Sequence, residues 1–510
     1  MGWSLRDWIT EVEEANALHR ITDEVDWDEE MAGIAYLSNR QSSSPTLLFE
    51  DVRGSPDGYR VLFNLFTTST ARVAITLNED PETTKAELIK LYKERINTEV
   101  TPDFVDASGA PVYENTDSGE AVDLTRFPAP KQFPKDGGRY IGTATAVISR
   151  DPETGDINVG TYRQMIHDER QTGMYTSPGK DLGLHIRKQW ERDEPLDVAA
   201  VYGIPPEIFI TSAMKYPQEV NEYYMAGGVA DEPVELTEGE VTGLPIPAKA
   251  EIVAEGKIKP GDMKEEGPFG EYSGYYGRPG EEAPVFSVDA IHYRDDPILT
   301  SSIAGEDSTL TASLGRSARA WNDLENIGLP GVEGIHVYRS GGSSYTAIAI
   351  EKQYAGHASQ AVCLAAQCPG NAYNTKVIIV VDDDVDPTKT DEVMWALATR
   401  FNPDDDVDIL TDTWSTSLDP SQNPPEEREY ASKMLIDATK HKDYDKYTER
   451  IAIEEDVYES IADKWTGLGF TESTPNVSVF AHETSGAIDR AGAADSSSDE
   501  EPTFDSDSTM

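Results

Sequence analysis

Cysteine, basic residues and long apolar runs are all scarce in this chain of 510 residues. Two cysteines, Cys363 and Cys368, cannot staple a chain of this length, and no further Cys or His stands near them at zinc spacing. They read as small buried hydrophobes in a reducing compartment. No apolar run approaches the ~20 residues that cross a bilayer. The opening Met1-Gly2-Trp3-Ser4-Leu5-Arg6-Asp7 has no apolar signal core, so a cytoplasmic protein without a membrane span is expected. Lys and Arg number 43 against 94 Asp and Glu, a formal charge of −51. With no basic patch to neutralise phosphates, nucleic acid and anionic membranes are excluded as partners. Walker-type and dinucleotide-binding loops are missing, and no Ser-His-Asp or Cys-His arrangement announces itself.

The acidity is spread along the chain, in Asp23–Glu30, Asp404–Asp408 and Glu454–Asp456 among others. An acidic interaction protein and an enzyme with an acidified surface compete as explanations, and the even spread favours the enzyme. Such a surface suits a salty cytoplasm: at molar salt the Debye length falls to about 3 Å and self-repulsion is screened. Hydrophobic residues are only 38% of the chain. They cluster in runs such as Val377-Ile378-Ile379-Val380-Val381, so a sizeable core remains possible.

Length and pattern predict an α/β multi-domain protein. Apolar residues at helical spacing predict a helix over 4–20. Thr46–Phe49 reads as a strand, Gly54 and Gly58 as a turn, and 82–97 as a helix, giving an N-terminal α/β domain over 1–115. Over 116–307, strand candidates Thr143–Ile148, Val198–Tyr202, Glu251–Glu255 and Phe286–Tyr293 lie among glycines and prolines. They predict a barrel or sandwich, interrupted by helices near 182–192 and 206–214. From 308 to 445 helix and strand alternate: Ala312–Ile327 helix, His336–Ile350 strand, Gln353–Ala366 helix, Lys376–Asp382 strand, Asp391–Arg400 helix. This is a C-terminal layered α/β domain. A terminal amphipathic helix is expected over 447–465, within a unit 446–470. The Ser/Asp/Glu-rich stretch 483–510 is expected to be disordered.

Three clusters carry chemistry. Ile157-Asn158-Val159-Gly160-Thr161-Tyr162-Arg163 is followed by His185. Asn221-Glu222-Tyr223-Tyr224-Met225-Ala226-Gly227 is the second, and Glu265-Glu266-Gly267-Pro268-Phe269-Gly270-Glu271 opens the third. The Gly-Pro-Phe-Gly turn can hold Glu266 and Glu271 beside one cleft, where two carboxylates split acid and base roles. Arg163 could bind a substrate carboxylate while pairing with one of them. Taken alone, the same turn reads more readily as surface in a Glu-rich protein. Asn158, His185 and Glu222 offer an oxygen-rich set suited to Mg²⁺ or Mn²⁺. A lone histidine reads first as a structural residue, and the spacing is no local metal motif.

In order and type these motifs resemble the UbiD family of decarboxylases. Leu5-Arg6-Asp7-Trp8, Leu48-Phe49-Glu50 and Gly54 are similar to the family's opening. Val380-Val381-Asp382-Asp383-Asp384, Trp395-Ala396, Thr399-Arg400 and Ser432-Lys433-Met434 resemble its C-terminal domain, so the match covers roughly 4–465. The resemblance implies that 116–307 is a split β-barrel binding prenylated FMN, with Asn158, Val159, Thr161, Tyr162, Arg163, His185, Ser212, Met214 and Glu222 around the cofactor. It implies a divalent cation, usually Mn²⁺, on Asn158, His185 and Glu222, with K⁺ nearby. A phosphate-contacting lysine of fungal members stands here as Asp391. Arg163, Glu266 and Glu271 match the catalytic network: Arg163 anchors the carboxylate and keeps Glu266 ionised, and Glu271 delivers the proton that replaces CO₂. The cofactor supplies the electron sink for charge on an sp² carbon.

The implied reaction is reversible, non-oxidative decarboxylation of an aromatic or α,β-unsaturated acid, such as a polyprenyl-hydroxybenzoate-like quinone precursor. Implied partners are the carboxylic acid substrate, a flavin prenyltransferase that supplies the cofactor, and further copies of the chain in a homo-oligomer joined through the C-terminal helix. The rival readings are an anhydromevalonate phosphate decarboxylase, a non-catalytic flavin-binding protein and, more remotely, a metal-dependent hydrolase.

Overall fold

The structure is a computed structural model. It describes residues 3–477 apart from 42–43, 177–178, 215, 217, 278–279, 304–306, 340–341, 343, 416–418, 422–429, 442–449, 471–473 and 476, and of 307–312 it describes the backbone only. The stretch 483–510, expected to be disordered, and the start of the predicted 447–465 helix lie outside the described residues.

Ser4 and Asp7 form a capping box that opens the helix Leu5–Glu14. This helix buries Leu5, Trp8, Ile9 and Val12, and Trp8 Nε1 donates to Thr76 Oγ1 at 2.8 Å. It is shorter than the predicted 4–20 helix. Asn16 takes a left-handed φ of 56°, and Leu18–Ile21 continues as a strand. That strand pairs with Thr46–Phe49, which pairs with Arg60–Phe63. The fourth strand of this sheet comes from far along the chain: Ile298–Ser301 lies parallel to Arg60–Phe63.

The central sheet has nine strands. Along its path run Tyr140–Gly142, Gln164–Asp168, Gln171–Met174, Glu281–Tyr293, Ile252–Glu266, Leu196–Tyr202, Thr145–Arg150 and Ile157–Gly160, with Asn115–Ser118 beside Glu281–Tyr293. Ile157–Gly160 is one edge strand, and Gln164–Asp168 lies next to the opposite edge. Only residues 161–163 join them. Four Cα–Cα steps from Gly160 to Gln164 span no more than about 14 Å, so the sheet must curl until its two sides approach. The seam of this open barrel is the segment carrying Asn158 to Arg163. Glu251–Glu255 proves to be the start of a much longer strand, Ile252–Glu266, paired antiparallel with Glu281–Tyr293. The hairpin between them delivers Glu266 and Glu271.

A five-stranded sheet follows the order Val332–Tyr338, Tyr345–Ile350, Val377–Asp382, Tyr430–Asp437, Val407–Trp414. The predicted strand His336–Ile350 is in fact two antiparallel strands, turned near Gly342, whose φ is 78°. The helix predicted from Gln353 starts at His357. The terminal helix is Glu455–Ala462, shorter than predicted, and none of its residues is buried. One apolar cluster runs from Leu5 and Trp8 through Val201 and Phe209 to Trp321, Ile348 and Leu435. A small three-stranded sheet of Pro245–Pro247, Glu235–Glu238 and Asp103–Phe104 adds Leu236 and Ile246, so segments from all four sheets share a core in this mixed α/β, multi-domain fold. No helix among the described residues is long and apolar enough to cross a membrane.

Candidate active site

Arg163 leaves the barrel seam and meets both glutamates of the hairpin tip. Its Nε donates to Glu266 Oε1 at 3.0 Å and its Nη2 to Glu266 Oε2 at 2.7 Å, while Nη1 donates to Glu271 Oε1. A guanidinium has five N–H donors. These three bonds leave one N–H on each terminal nitrogen for a ligand. The guanidinium stacks 4.4 Å from the Tyr175 ring centroid and 5.2 Å from that of Phe269. Side-chain exposure is 17% for Arg163, 1% for Glu266 and 11% for Glu271, so the triad is shielded without being sealed. Burial alone would lower the Arg163 pKa; the bonds and charges of the two glutamates outweigh it and raise it. At Glu271 burial pushes the carboxyl up, Arg163 pulls it down, Glu266 adds repulsion, and the balance lies above the ordinary value.

The tip is held rigidly. Gly267 takes a φ of 95° before a cis peptide bond to Pro268. Gly137 N donates to Pro268 O at 2.9 Å, and a β-carbon on Gly137 would lie 2.1 Å from Gly267 O. Asp136 Oδ1 accepts from Gly270 N at 3.1 Å, and its Oδ2 accepts from Gln132 N and Phe133 N. Glu271 N donates to Tyr275 O at 2.8 Å. Sequence reasoning missed the Asp136–Gly137 brace, because a single Asp-Gly pair more than a hundred residues upstream carries no local signal.

The metal candidates are only partly brought together. Glu222 opens the helix Glu222–Ala230, and its Oε2 accepts from Val159 N at 2.8 Å. Asn158 precedes Val159; it is buried, and its Nδ2 has no protein partner. Burial pushes the Glu222 carboxyl up to about 8. The Glu222 carboxylate and the Asn158 amide oxygen could ligate a cation, while the orphaned Nδ2 is a donor and suits an anionic oxygen beside it. Tyr162 Oη accepts from Leu182 N at 3.2 Å. His185 comes to the same strands and turns elsewhere. Its Nδ1 bonds Ser149 Oγ at 2.9 Å, and its Nε2 lies 3.5 Å from Asp151 Oδ2. Ser149 is the cross-strand partner of Asn158, so His185 stands one residue removed from the pair. Among the described residues no three His, Cys, Asp or Glu side chains form a metal-holding group.

Thr161 N donates to Ser212 O at 3.0 Å, and the two hydroxyls lie 3.0 Å apart. Met214 Sδ accepts from Tyr92 Oη at 3.1 Å. Ser212 therefore flanks the seam, whereas the hydrogen bonds of Met214 go to Tyr92 and Tyr216. Asp391 is solvent-exposed on the helix Thr390–Arg400. A cation unforeseen from the sequence, Arg319, pairs with Asp323 at 3.1 Å and shares a cavity wall with Tyr216. These two residues line a cavity of about 250 Å³ with Asn97, Asn322 and Asn326.

A curled sheet whose seam bears an arginine clamped by two acids, beside a buried Asn–Glu corner, offers a carboxylate-binding group and two buried polar side chains next to it. Three family models match the chain. They are the N-terminal, Rift-related and C-terminal domains of 3-octaprenyl-4-hydroxybenzoate carboxy-lyase, matched over residues 9–92, 103–307 and 309–438. A phenolic acid decarboxylase of Streptomyces sp. (strain D7) is 31% identical, over 85% of this chain and 91% of its own. The pyrrole-2-carboxylic acid decarboxylase of Pseudomonas aeruginosa is 31% identical, over 71% of this chain and 75% of its own. The UbiD-class enzyme HmfF from Pelotomaculum thermopropionicum, solved with FMN, superposes with a TM-score of 0.80 at 30% identity, covering 88% of this chain and 97% of that one. An evolved dimeric form of HmfF was solved with prFMN. The chain belongs to the UbiD family of carboxy-lyases. Its relatives and structural neighbours place it among the flavin-dependent decarboxylases.

Proposed function

We propose that the protein carries out prenylated-FMN-dependent, non-oxidative decarboxylation of an aromatic or α,β-unsaturated carboxylic acid, at the site formed by Arg163, Glu266 and Glu271. The observation that carries this reading is the clamp itself. Two glutamates fix the guanidinium and leave a pair of N–H groups that match a carboxylate bidentately.

In this reading Arg163 holds the substrate carboxylate and Glu266 holds Arg163 in place. Glu271, raised above the ordinary carboxyl range by burial, stays protonated to higher pH than an exposed glutamate. It donates the proton to the carbon that CO₂ leaves. Seam residues Asn158 to Arg163 line the cofactor site with Ser212 and Met214. Asn158 and Glu222 would hold a divalent cation, Mn²⁺ in this proposal, whose charge would favour binding of the flavin phosphate; His185 would join them by turning away from Asp151. Bound there, the prenylated flavin supplies an electron sink for the charge left on the sp² carbon. A flavin prenyltransferase supplies the cofactor. Copies of the chain associate through the C-terminal helix, whose approach leaves Ile451 fully exposed and Ile453 42% exposed.

The test is co-expression with a flavin prenyltransferase, then CO₂ release from a panel of phenolic, heteroaromatic and unsaturated acids. Release from at least one acid, dependent on the prenyltransferase, is expected. A flavin-loaded protein that releases CO₂ from none would instead be a binding protein.

A further inference from the structure

Glu266 and Glu271 share one arginine, and a proton donor needs the proton of the pair on Glu271. Arg163 gives two N–H groups to Glu266 and one to Glu271, which also gains from the Tyr272 amide. Each carboxylate thus has N–H donors, and their number alone does not place the proton.

A third group stands beside the pair. Tyr140 opens the strand Tyr140–Gly142 and lies opposite Met165, two residues beyond Arg163. Its side chain is fully buried, with its ring centroid 4.4 Å from that of Phe269. Its Oη donates to Pro268 O at 3.4 Å, a long bond to an oxygen that Gly137 N already holds at 2.9 Å. The hydroxyl therefore reaches the turn two residues after Glu266 and is held only loosely by the backbone there. Burial and then the charge of Glu266 raise the phenol, Arg163 pulls it down, and Asp136 adds a smaller push upwards. A buried hydroxyl bonds a carboxylate more strongly than a carbonyl. Gly173 and His167 also adjoin Glu266: a β-carbon on Gly173 would lie 3.1 Å from Glu266 Cγ and 2.7 Å from His167 Nε2. Burial and Lys264 lower that imidazole, against Asp168 and Glu266.

We propose that Tyr140 is a positioning residue: its hydroxyl turns from Pro268 O to the Glu266 carboxylate, fixes the negative charge there, and so keeps the proton on Glu271. This role rests on the decarboxylation proposed above. Without the hydroxyl a second form appears, in which Glu266 carries the proton and Glu271 has none to give. That form draws population from the active one, and the two titrate as a pair. The hydroxyl bonds a charged Glu266 whether or not Glu271 is protonated, so its loss leaves that step of Glu271 unchanged. The plateau of kcat and the alkaline midpoint are therefore tied together: the midpoint must rise by the logarithm of the factor by which the plateau falls, and the profiles merge at high pH.

The test is Tyr140→Phe, which keeps the ring and removes the oxygen. In the flavin-loaded enzyme the kcat plateau is expected to fall ~3–10-fold with KM nearly unchanged, and the alkaline midpoint to rise by about 0.5–1 pH unit. A plateau that falls without a shifted midpoint would leave Tyr140 a packing partner of Phe269 and overturns the proposal, as does wild-type kcat. A readout without turnover separates this role from the reaction. Infrared spectra of the flavin-loaded protein, with isotope-labelled glutamate, follow the protonated carboxyl of the pair. In the wild type that band should vanish with Glu271→Gln. In Tyr140→Phe part of it should pass to a band that vanishes when Glu266→Gln is added. A band that stays wholly on Glu271 in Tyr140→Phe overturns the role of Tyr140, whether or not any acid releases CO₂. Should Tyr140→Phe melt far below the wild type, fluorotyrosine at position 140 keeps the hydroxyl, and its fluorine resonance should move on Glu266→Gln; an unmoved resonance overturns the bond.

Discussion

At the scale of single residues, Glu271 and Glu222 are predicted to fail in different ways. Glu271→Gln keeps the shape and a hydrogen bond to Arg163 but has no proton to give at carboxyl acidity. It should retain bound flavin and lose at least ~100-fold in kcat; wild-type-like turnover removes Glu271 from its role. The sign of the pH response follows from the raised carboxyl. A donor must be protonated, so kcat should fall as pH rises through the folded-state pKa, with a midpoint above the ordinary 4.5. A kcat unchanged from pH 5 to 9 contradicts this. Glu222→Ala, by contrast, should purify colourless, because it removes the buried carboxylate that would hold the cation and, through it, the flavin phosphate; an absorbance spectrum checks it. Residue types and order made the Arg163–Glu266–Glu271 cluster legible in the sequence. The turn of His185 towards Ser149 and Asp151 was not legible, because it depends on a cross-strand register that pairs Ser149 with Asn158.

At the scale of elements, the hairpin tip works because another loop braces it. Gly137→Ala would push a methyl group against Gly267 O, where only 2.1 Å is available. The tip must move, and a shift of an ångström at a proton donor is costly to rate. A loss of roughly 10-fold or more in kcat is expected with flavin content retained; unaltered kcat would show that the tip does not depend on Gly137. Helices with strong caps and strands with continuous apolar runs were readable, as Leu5–Glu14 and Val377–Asp382 illustrate. The His336–Ile350 hairpin was legible and was missed: Arg339-Ser340-Gly341-Gly342-Ser343-Ser344 breaks the apolar pattern with a Gly-Gly turn signal. Tyr430–Asp437 carries Lys433 buried mid-strand, which disguised it as a polar segment.

For the whole molecule, the dominant quantity is the charge of −51. Ion pairs such as Arg20 with Glu13 and Glu50 are half-exposed and offset little of it. Salt screening should therefore raise stability. A melting temperature several degrees higher in molar KCl than in dilute buffer is expected by circular dichroism, and an unchanged value counts against adaptation to salt. Composition announced this property plainly. It could not announce that one apolar cluster would join segments from Leu5 to Leu435, since that depends on which faces meet in space.

The strand Ile298–Ser301 also constrains how the chain can be made. Until it emerges from the ribosome, Arg60–Phe63 has an open edge awaiting its parallel neighbour. At about 5–20 residues per second, the wait is on the order of 10–50 s. An expressed fragment ending near residue 115 would keep that edge permanently bare and should aggregate, whereas one reaching past Ser301 can close it.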